Sequence, residues 1–407
     1  MKFFLLVICV FLMLFACVAP KDNTLKSGIW RAHLTTLDNQ QLPFNFAVTR
    51  DASDYKVEIF NAREVVVVDE IEINGDSIQI KMPVFEGYIS GTFNDSVISG
   101  SFIKESLDRI VPFTARFGDS TRFRIKKDPE VNISGIWEAI FSADSEGEYE
   151  AKGIFTQQNN IVSGTFRTTT GDYRYLEGGI SGDSLLLSTF DGAHAFLFKA
   201  KVNDSSLTGM FYSGNHFKEP FFATRNEGFE LPDEASLTFL NQGYEKIDFS
   251  FPDTSGNLVS LKDERYNNKV VVIQIMGTWC PNCLDETKFL SQYLEANQNS
   301  DVEVLALAFE YAKTKELAYK AINRLVDRIE VKYPILLAQY GSSSKTKANE
   351  KLPMLNHVLS YPTTIFIDKK GNVRKIHTGF NGPATGVKYT EFKEEFHAFV
   401  ELLAKEE

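Results

Sequence analysis

The stretch Gly277-Thr278-Trp279-Cys280-Pro281-Asn282-Cys283-Leu284-Asp285-Glu286 decides how the C-terminal part of this 407-residue chain is read. It follows an apolar run at 270–276, which predicts a buried strand. It opens residues 282–297, where Leu290, Tyr293, Leu294 and Asn297 recur at helical spacing. Two thiols therefore sit where a strand hands over to a helix. Unpaired backbone N–H groups and the positive end of the helix dipole gather there, so a thiolate is favoured over a thiol. This predicts Cys280 as a nucleophile. Cys283, three residues on, falls on the same helical face, within reach of a mixed disulfide formed on Cys280. Pro281 suits the first turn, where a missing N–H costs nothing.

Two cysteines at this spacing serve other chemistries, and the rest of the chain weighs against them. Covalent haem attachment needs His directly after the second Cys, and Leu284 stands there. Structural zinc needs two further ligands. The other cysteines, Cys9 and Cys17, lie near the N-terminus, and no two of the six histidines share the spacing of a zinc site, so no metal is expected. An inert structural pair remains as the alternative to a redox dithiol, the reading the strand-to-helix placement favours.

Trp279-Cys280-x-x-Cys283 after a buried strand, with Tyr361-Pro362-Thr363-Thr364 before a second apolar strand, resembles the thioredoxin fold. Within that fold it resembles the membrane-tethered disulfide reductases of the bacterial envelope, the TlpA and ResA type, and the resemblance spans residues 249–403. It implies that Pro362 is cis and faces the dithiol, and that Trp279, Pro281, Tyr361 and Pro362 dock an incoming chain. It implies protein disulfides as substrates, such as those of apocytochrome c or other exported proteins, and an electron donor in the membrane. No bound cofactor is expected, because the Cys280/Cys283 pair is its own two-electron carrier.

Departures from the pattern matter as well. Thioredoxins carry a buried Asp in the strand before the motif; Gln274 stands at that place and does not exchange protons. Envelope reductases have a Glu where this chain has Glu286, thought to tune the cysteines and shuttle protons. Glu286 is therefore the expected proton carrier, with a helix-dipole role as the alternative, and Asp285 is assigned to the dipole alone. Relatives often place Pro two residues after that Glu, where this chain has Lys288. Glu310 ends the next strand as a second acid near the dithiol edge, and an exposed strand-end carboxylate is the reading expected for it.

Length and composition, 43% hydrophobic and 13% aromatic, give material for two or three domains. The net charge of -11 argues against a nucleic-acid partner and against electrostatic binding to anionic lipid. Attachment to a membrane is expected from the first residues. Lys2 followed by an apolar run at 3–15 has the shape of a secretory signal, and Leu14-Phe15-Ala16-Cys17 resembles a lipobox. Residues 1–16 are read as a lipoprotein signal peptide, Cys17 as the lipidated new N-terminus and residues 17–26 as a tether. A retained transmembrane helix is the alternative, but the run falls short of the ~20 residues a crossing needs. The expected location is the cell envelope, facing the periplasm or the surface, where disulfides persist unless reduced.

Between tether and dithiol the sequence repeats itself. Ser27-Gly28-Ile29-Trp30 returns as Ser134-Gly135-Ile136-Trp137, and Gly75-Asp76-Ser77-Ile78 as Gly182-Asp183-Ser184-Leu185. Asn94-Asp95-Ser96 returns as Asn203-Asp204-Ser205 and Pro112-Phe113 as Pro220-Phe221, in one order and at nearly one offset. Residues 27–126 and 134–226 are read as two copies of an antiparallel all-β unit. Strands are expected at 65–73, 77–82, 97–102, 161–166, 184–187 and 195–199, with hairpins turning at Asn-Asp. Twin sandwiches and two halves of one barrel both fit this pattern. Trp30 and Trp137 are read as core plugs rather than ligand stackers. Residues 227–248 form an acidic linker, and residues 249–407 an α/β thioredoxin-like domain with a polar surface loop at 341–347. The expected activity is thiol-disulfide exchange, most of all disulfide reduction. A thiol oxidase or isomerase on the same fold, and a ligand-binding lipoprotein whose thioredoxin half is a scaffold, are the alternatives.

Overall fold

A computed structural model describes residues 24–52, 54–297 and 301–407. The signal peptide, Cys17 and the first part of the tether lie outside the described residues.

The N-terminal region is mostly β. Strands β1 (Gly28–Thr35), β2 (Gln41–Asp51), β3 (Asp54–Asn61), β4 (Glu64–Val68) and β5 (Glu70–Asn74) belong to the first sheet. So do β6 (Ser77–Lys81), β7 (Tyr88–Phe93), β8 (Val97–Lys104) and β9 (Arg109–Phe117). All nine pair antiparallel in the order β4-β3-β2-β1-β9-β8-β7-β6-β5. The end strands β4 and β5 are separated in the chain only by Asp69, and β3 packs beside β5. The sheet must therefore curl until its ends meet. The single strand expected at 65–73 is thus two, broken at Asp69, because the chain there steps from one end of the sheet to the other.

A second sheet follows: β10 (Gly135–Phe141), β11 (Tyr149–Gln158), β12 (Ile161–Thr168), β13 (Gly171–Asp172) and β14 (Leu176–Ser181). It continues with β15 (Ser184–Phe190), β16 (Ala195–Val202), β17 (Ser206–Ser213) and β18 (Phe217–Arg225). Here β11 pairs with both β10 and β12, and β12 with β14, so the sheet closes on itself as a barrel with β13 as a short flap. Closure removes edge strands. The two sheets are thus distinct, neither halves of one barrel nor sandwiches, and they pack against each other through contacts such as Phe44 on Phe190.

The interiors explain the alternation. Inward residues of the second sheet form an aromatic core in which Phe141 stacks on Tyr149 and Phe221 and meets Phe166 edge-on. Trp30 and Trp137 are fully buried, and each indole N–H donates to the carbonyl four residues back, Lys26 at 3.0 Å and Ile133 at 2.8 Å. The turns use the same chemistry twice. Asn94 Oδ1 accepts from the N–H groups of Ser96 and Val97, and Asn203 Oδ1 from those of Ser205 and Ser206.

The remaining chain folds around a five-stranded sheet of order β23-β22-β21-β24-β25, with β21 (Val270–Met276), β22 (Val302–Phe309), β23 (Ile335–Gln339), β24 (Thr363–Ile367) and β25 (Val373–Thr378). The first three run parallel, and β24 and β25 antiparallel. A small hairpin, β19 (Ser250–Pro252) with β20 (Leu258–Ser260), precedes them. Helices α1 (Pro281–Ala296), α2 (Lys315–Ile329) and α4 (Val387–Lys405) accompany the sheet. Phe392, Phe396, Val400 and Leu403 of α4 are buried. A short helix, α3 (Lys345–Lys351), starts inside the expected polar loop, capped by Ser344.

Two segments expected to be loose are fixed. At the end of the tether Leu25 is buried, and Lys26 supplies the carbonyl for Trp30. In the linker, Thr238 is buried and bonded to Thr378 at 2.8 Å, Leu240 bridges Leu355, and Asn241 donates to the carbonyls of Pro353 and Leu355. This strap is held because its backbone groups find partners on the C-terminal domain.

Candidate functional site

β21 is buried at every position, so its end delivers the chain to one fixed point at the sheet's edge. Gly277 makes the turn possible. A Cβ there would lie 2.3 Å from Trp279 Nε1, and only its absence lets the indole fold back and donate to the Phe309 carbonyl at 3.0 Å. Trp279 is half-buried and meets Tyr361 edge-on, ring centres 5.4 Å apart.

Cys280 is the N-cap of α1, with extended backbone, and Pro281 takes the first helical position. The Cys280 sulfur accepts the Cys283 N–H at 3.1 Å, so negative charge on it meets a donor and the positive end of the helix. The two cysteines are joined as a disulfide, Cα atoms 5.2 Å apart. Cys283 is completely buried, whereas Cys280 keeps 6% exposure, so Cys280 is the more accessible of the two. The Tyr361-Pro362 peptide is cis, and the Tyr361 carbonyl oxygen lies 3.4 Å from Cys280 Sγ. A disulfide sulfur carries no proton, so that contact becomes a hydrogen bond only in the reduced form.

Behind the cysteines the polar groups are buried. Gln274 donates to the Cys283 carbonyl at 3.1 Å and accepts from Thr287 at 3.0 Å and Tyr333 at 3.3 Å. Glu286 is fully buried. Its Oε1 accepts from Thr364 at 2.5 Å, while Oε2 has no hydrogen-bond partner in the structure. Burial raises its carboxyl to about 7, against the pull of Thr364 and Gln274.

Two acids differ from expectation. Glu310 is 2% exposed rather than solvated. Its oxygens accept the Thr278 N–H at 2.8 Å and the Thr278 hydroxyl at 2.7 Å, and burial raises it to about 7 as well. Asp285 is buried and paired with Arg174 from the second sheet, a stronger tie than the helix dipole. Arg174 also holds Glu64 of the first sheet and lies 3.6 Å from Asp191 of the second. Sequence spacing gives no sign of the Asp285 and Glu64 pairings, which join residues 111 and 110 apart.

The second sheet reaches the dithiol directly. The β12–β13 turn and β13 touch helix α1 at Asn282 and the two loops that carry Ser360 and Gly379. The Thr170 carbonyl accepts from Ser360 at 2.8 Å, the Asp172 carbonyl from Asn282 at 3.2 Å, and the turn backbone closes on Gly379. Gly171, with φ +139, passes so close that a Cβ would lie 2.1 Å from Asn282 Nδ2. One flank of Cys280 is therefore walled by the β region. Trp279, Pro281, Cys280, Cys283, Tyr361 and Pro362 come together at this point, and Glu286 lies beneath it on α1.

The family model described as Redoxin matches residues 242–390. The thioredoxin-like protein YneN of Bacillus subtilis is 29% identical over 140 residues, covering 34% of this chain and 73% of that one. ResA, a thiol-disulfide oxidoreductase of Bacillus thuringiensis, is 27% identical over 131 residues, covering 32% and 66%. Together these matches support a TlpA/ResA-type thioredoxin-fold oxidoreductase in the C-terminal domain. A solved thiol-disulfide oxidoreductase from Bacteroides fragilis is also similar, at 17% identity and a TM-score of 0.28, over 37% of this chain and 99% of that one. The two nine-stranded sheets lie outside the residues matched to Redoxin. Among the described residues of the ResA-type domain and the sheets, no three His, Cys, Asp or Glu side chains are grouped to hold a metal ion, and no helix is long and apolar enough to cross a membrane.

Proposed function

We propose that the chain reduces disulfides of exported proteins, apocytochrome c among them, while tethered to a membrane of the cell envelope through a lipid on Cys17. One observation carries this reading: Cys280, at the N-terminus of α1, is the reachable sulfur of the pair and Cys283 the buried one. The Cys280 thiolate attacks a substrate sulfur, forming a mixed disulfide and releasing one substrate thiolate, which takes a proton. Cys283, deprotonated in turn, attacks Cys280 Sγ and releases the second substrate thiol. The substrate gains two electrons and two protons, and the dithiol becomes the disulfide. A thiol-based donor in the membrane returns both electrons.

Glu286 accepts the Cys283 proton. Its carboxyl, raised to about 7 by burial, exchanges protons near neutral pH, and its free Oε2 leaves one lone-pair side open. Tyr361 and Pro362 present the backbone against which the substrate strand lies, and Trp279 and Pro281 form the apolar shoulder. We further infer that the two β sheets arose by duplication. The matched signatures of sequence and the shared Asn-centred turns support this, as does a strand order in which β1 to β9 correspond in turn to β10 to β18.

The redox state of Cys280 and Cys283 in intact cells, fixed by acid and read by thiol alkylation, tests the direction. A mostly reduced pair is the expected result; a mostly oxidised pair would reverse the assignment to an oxidase.

A further inference from the structure

A cavity of about 230 Å³ lies beside the dithiol, between the two β sheets and the redox domain. Trp279 and Tyr311 form its wall on the redox side, and Lys104, Arg109, His194 and His216 supply its polar lining. None of the fourteen lining residues is Asp or Glu. Lys104 is only 7% exposed, and among the described residues its ammonium has no carboxylate within ion-pair distance; it donates to the Ala193 carbonyl at 3.2 Å. Asp191 and Glu86 act on it electrostatically without pairing with it, so the buried ammonium still lacks a direct carboxylate partner, and an incoming anion lowers the cost of burying it. Arg109 likewise makes no ion pair among the described residues, although its guanidinium lies close enough to Tyr311 to feel it.

The approach to Cys280 determines what meets this cavity. The β12–β13 turn covers the flank formed by Asn282, Ser360 and Gly379. A chain that brings a sulfur to Cys280 is therefore turned towards Trp279, the residue that both precedes the nucleophile and lines the cavity. We propose that the cavity is a subsite for a carboxylate on the disulfide-bearing polypeptide, an Asp or Glu side chain near the reactive cysteine, held by Lys104 and Arg109. This rests on the dithiol reading above and adds the substrate feature it selects. It also gives the β sheets a task, since Lys104, Arg109, His194 and His216 all come from them.

The test uses the full chain, reduced and freed of reductant. Neutral-capped peptides of two kinds each carry a cysteine joined to thiopyridine and, at one, two or three residues from it, either Glu or Gln. The released thiopyridone reports the rate. In parallel, a disulfide-free Glu peptide with a neutral dye is titrated against Cys280→Ser by fluorescence anisotropy. The expected result is a rate at least about tenfold higher for Glu than for Gln at its best spacing, the scale of one charge-assisted hydrogen bond. That ratio falls towards one in Arg109→Gln and in Lys104→Met, with anisotropy binding weakened in parallel. Equal rates for Glu and Gln peptides, or a preference that survives both substitutions, would overturn the subsite while leaving the dithiol intact. No reaction with either peptide, together with Arg109-dependent binding, would instead remove the redox reading and keep the anion site.

Discussion

At the scale of single residues, burial sets the behaviour of the two acids near the dithiol. Glu286 and Glu310 both sit at about 7 where an exposed Glu sits at 4.5. Between those values the native chain holds protons that the unfolded chain has released, so stability falls as pH rises through that window and the loss is complete above it. For each acid the loss is at most about 3 kcal/mol. Glu286→Gln removes one such term, so relative to the natural chain it is more stable at pH 8 than at pH 5, by roughly 1–3 kcal/mol of difference. Urea unfolding at both pH values with the disulfide intact checks this. Adding Glu310→Gln should flatten the dependence further, and a natural chain whose stability rises from pH 5 to 8 would contradict the account. The cysteine motif was legible because its chemistry is local: strand, turn and helix N-terminus are contiguous. The burial of Glu310 is not legible in the sequence because its partner Thr278 is 32 residues away, across two neighbouring strands.

At the scale of elements, hairpins and helices followed from alternation and turn residues, whereas closure did not. The pairing of β11 with β12 and the curling of β4 towards β5 depend on how a whole sheet rolls, which no window of sequence displays. The β12–β13 turn is the element that brings the β region to the redox site. Gly171→Ala places a methyl group against Asn282 and imposes a backbone that L residues avoid. A loss of about 2–3 kcal/mol is expected from thermal unfolding, against about 1 kcal/mol for Gly75→Ala, whose φ of +63 is strained but whose Cβ meets nothing. Faster reduction of the Cys280/Cys283 disulfide by dithiothreitol in Gly171→Ala is the second expected sign, because the displaced turn uncovers the flank of Cys280.

For the whole molecule, the sequence is read with an acidic linker at 227–248 between the β units and the redox domain. The structure joins them instead. Arg174 binds Glu64 of the first sheet and Asp285 of the redox domain and sits beside Asp191 of its own sheet. Arg122, between the two sheets, donates to Asn61 on one side and Ser188 and Glu177 on the other. Arg174→Met takes the ion-pair partner from buried Asp285 and half-buried Glu64 and the guanidinium from beside buried Asp191, and should cost roughly 3–5 kcal/mol. In calorimetry the natural chain is expected to unfold in one main transition and this variant in two, with the redox domain separating from the sheets. The most direct test of the central claim is a trap for the mixed disulfide in Cys283→Ser, captured from cells and mapped by mass spectrometry. Partner proteins attached through Cys280 are expected in that variant and none attached through Cys283 in Cys280→Ser; adducts mainly on Cys283 would contradict the assignment of Cys280 as the attacking thiol.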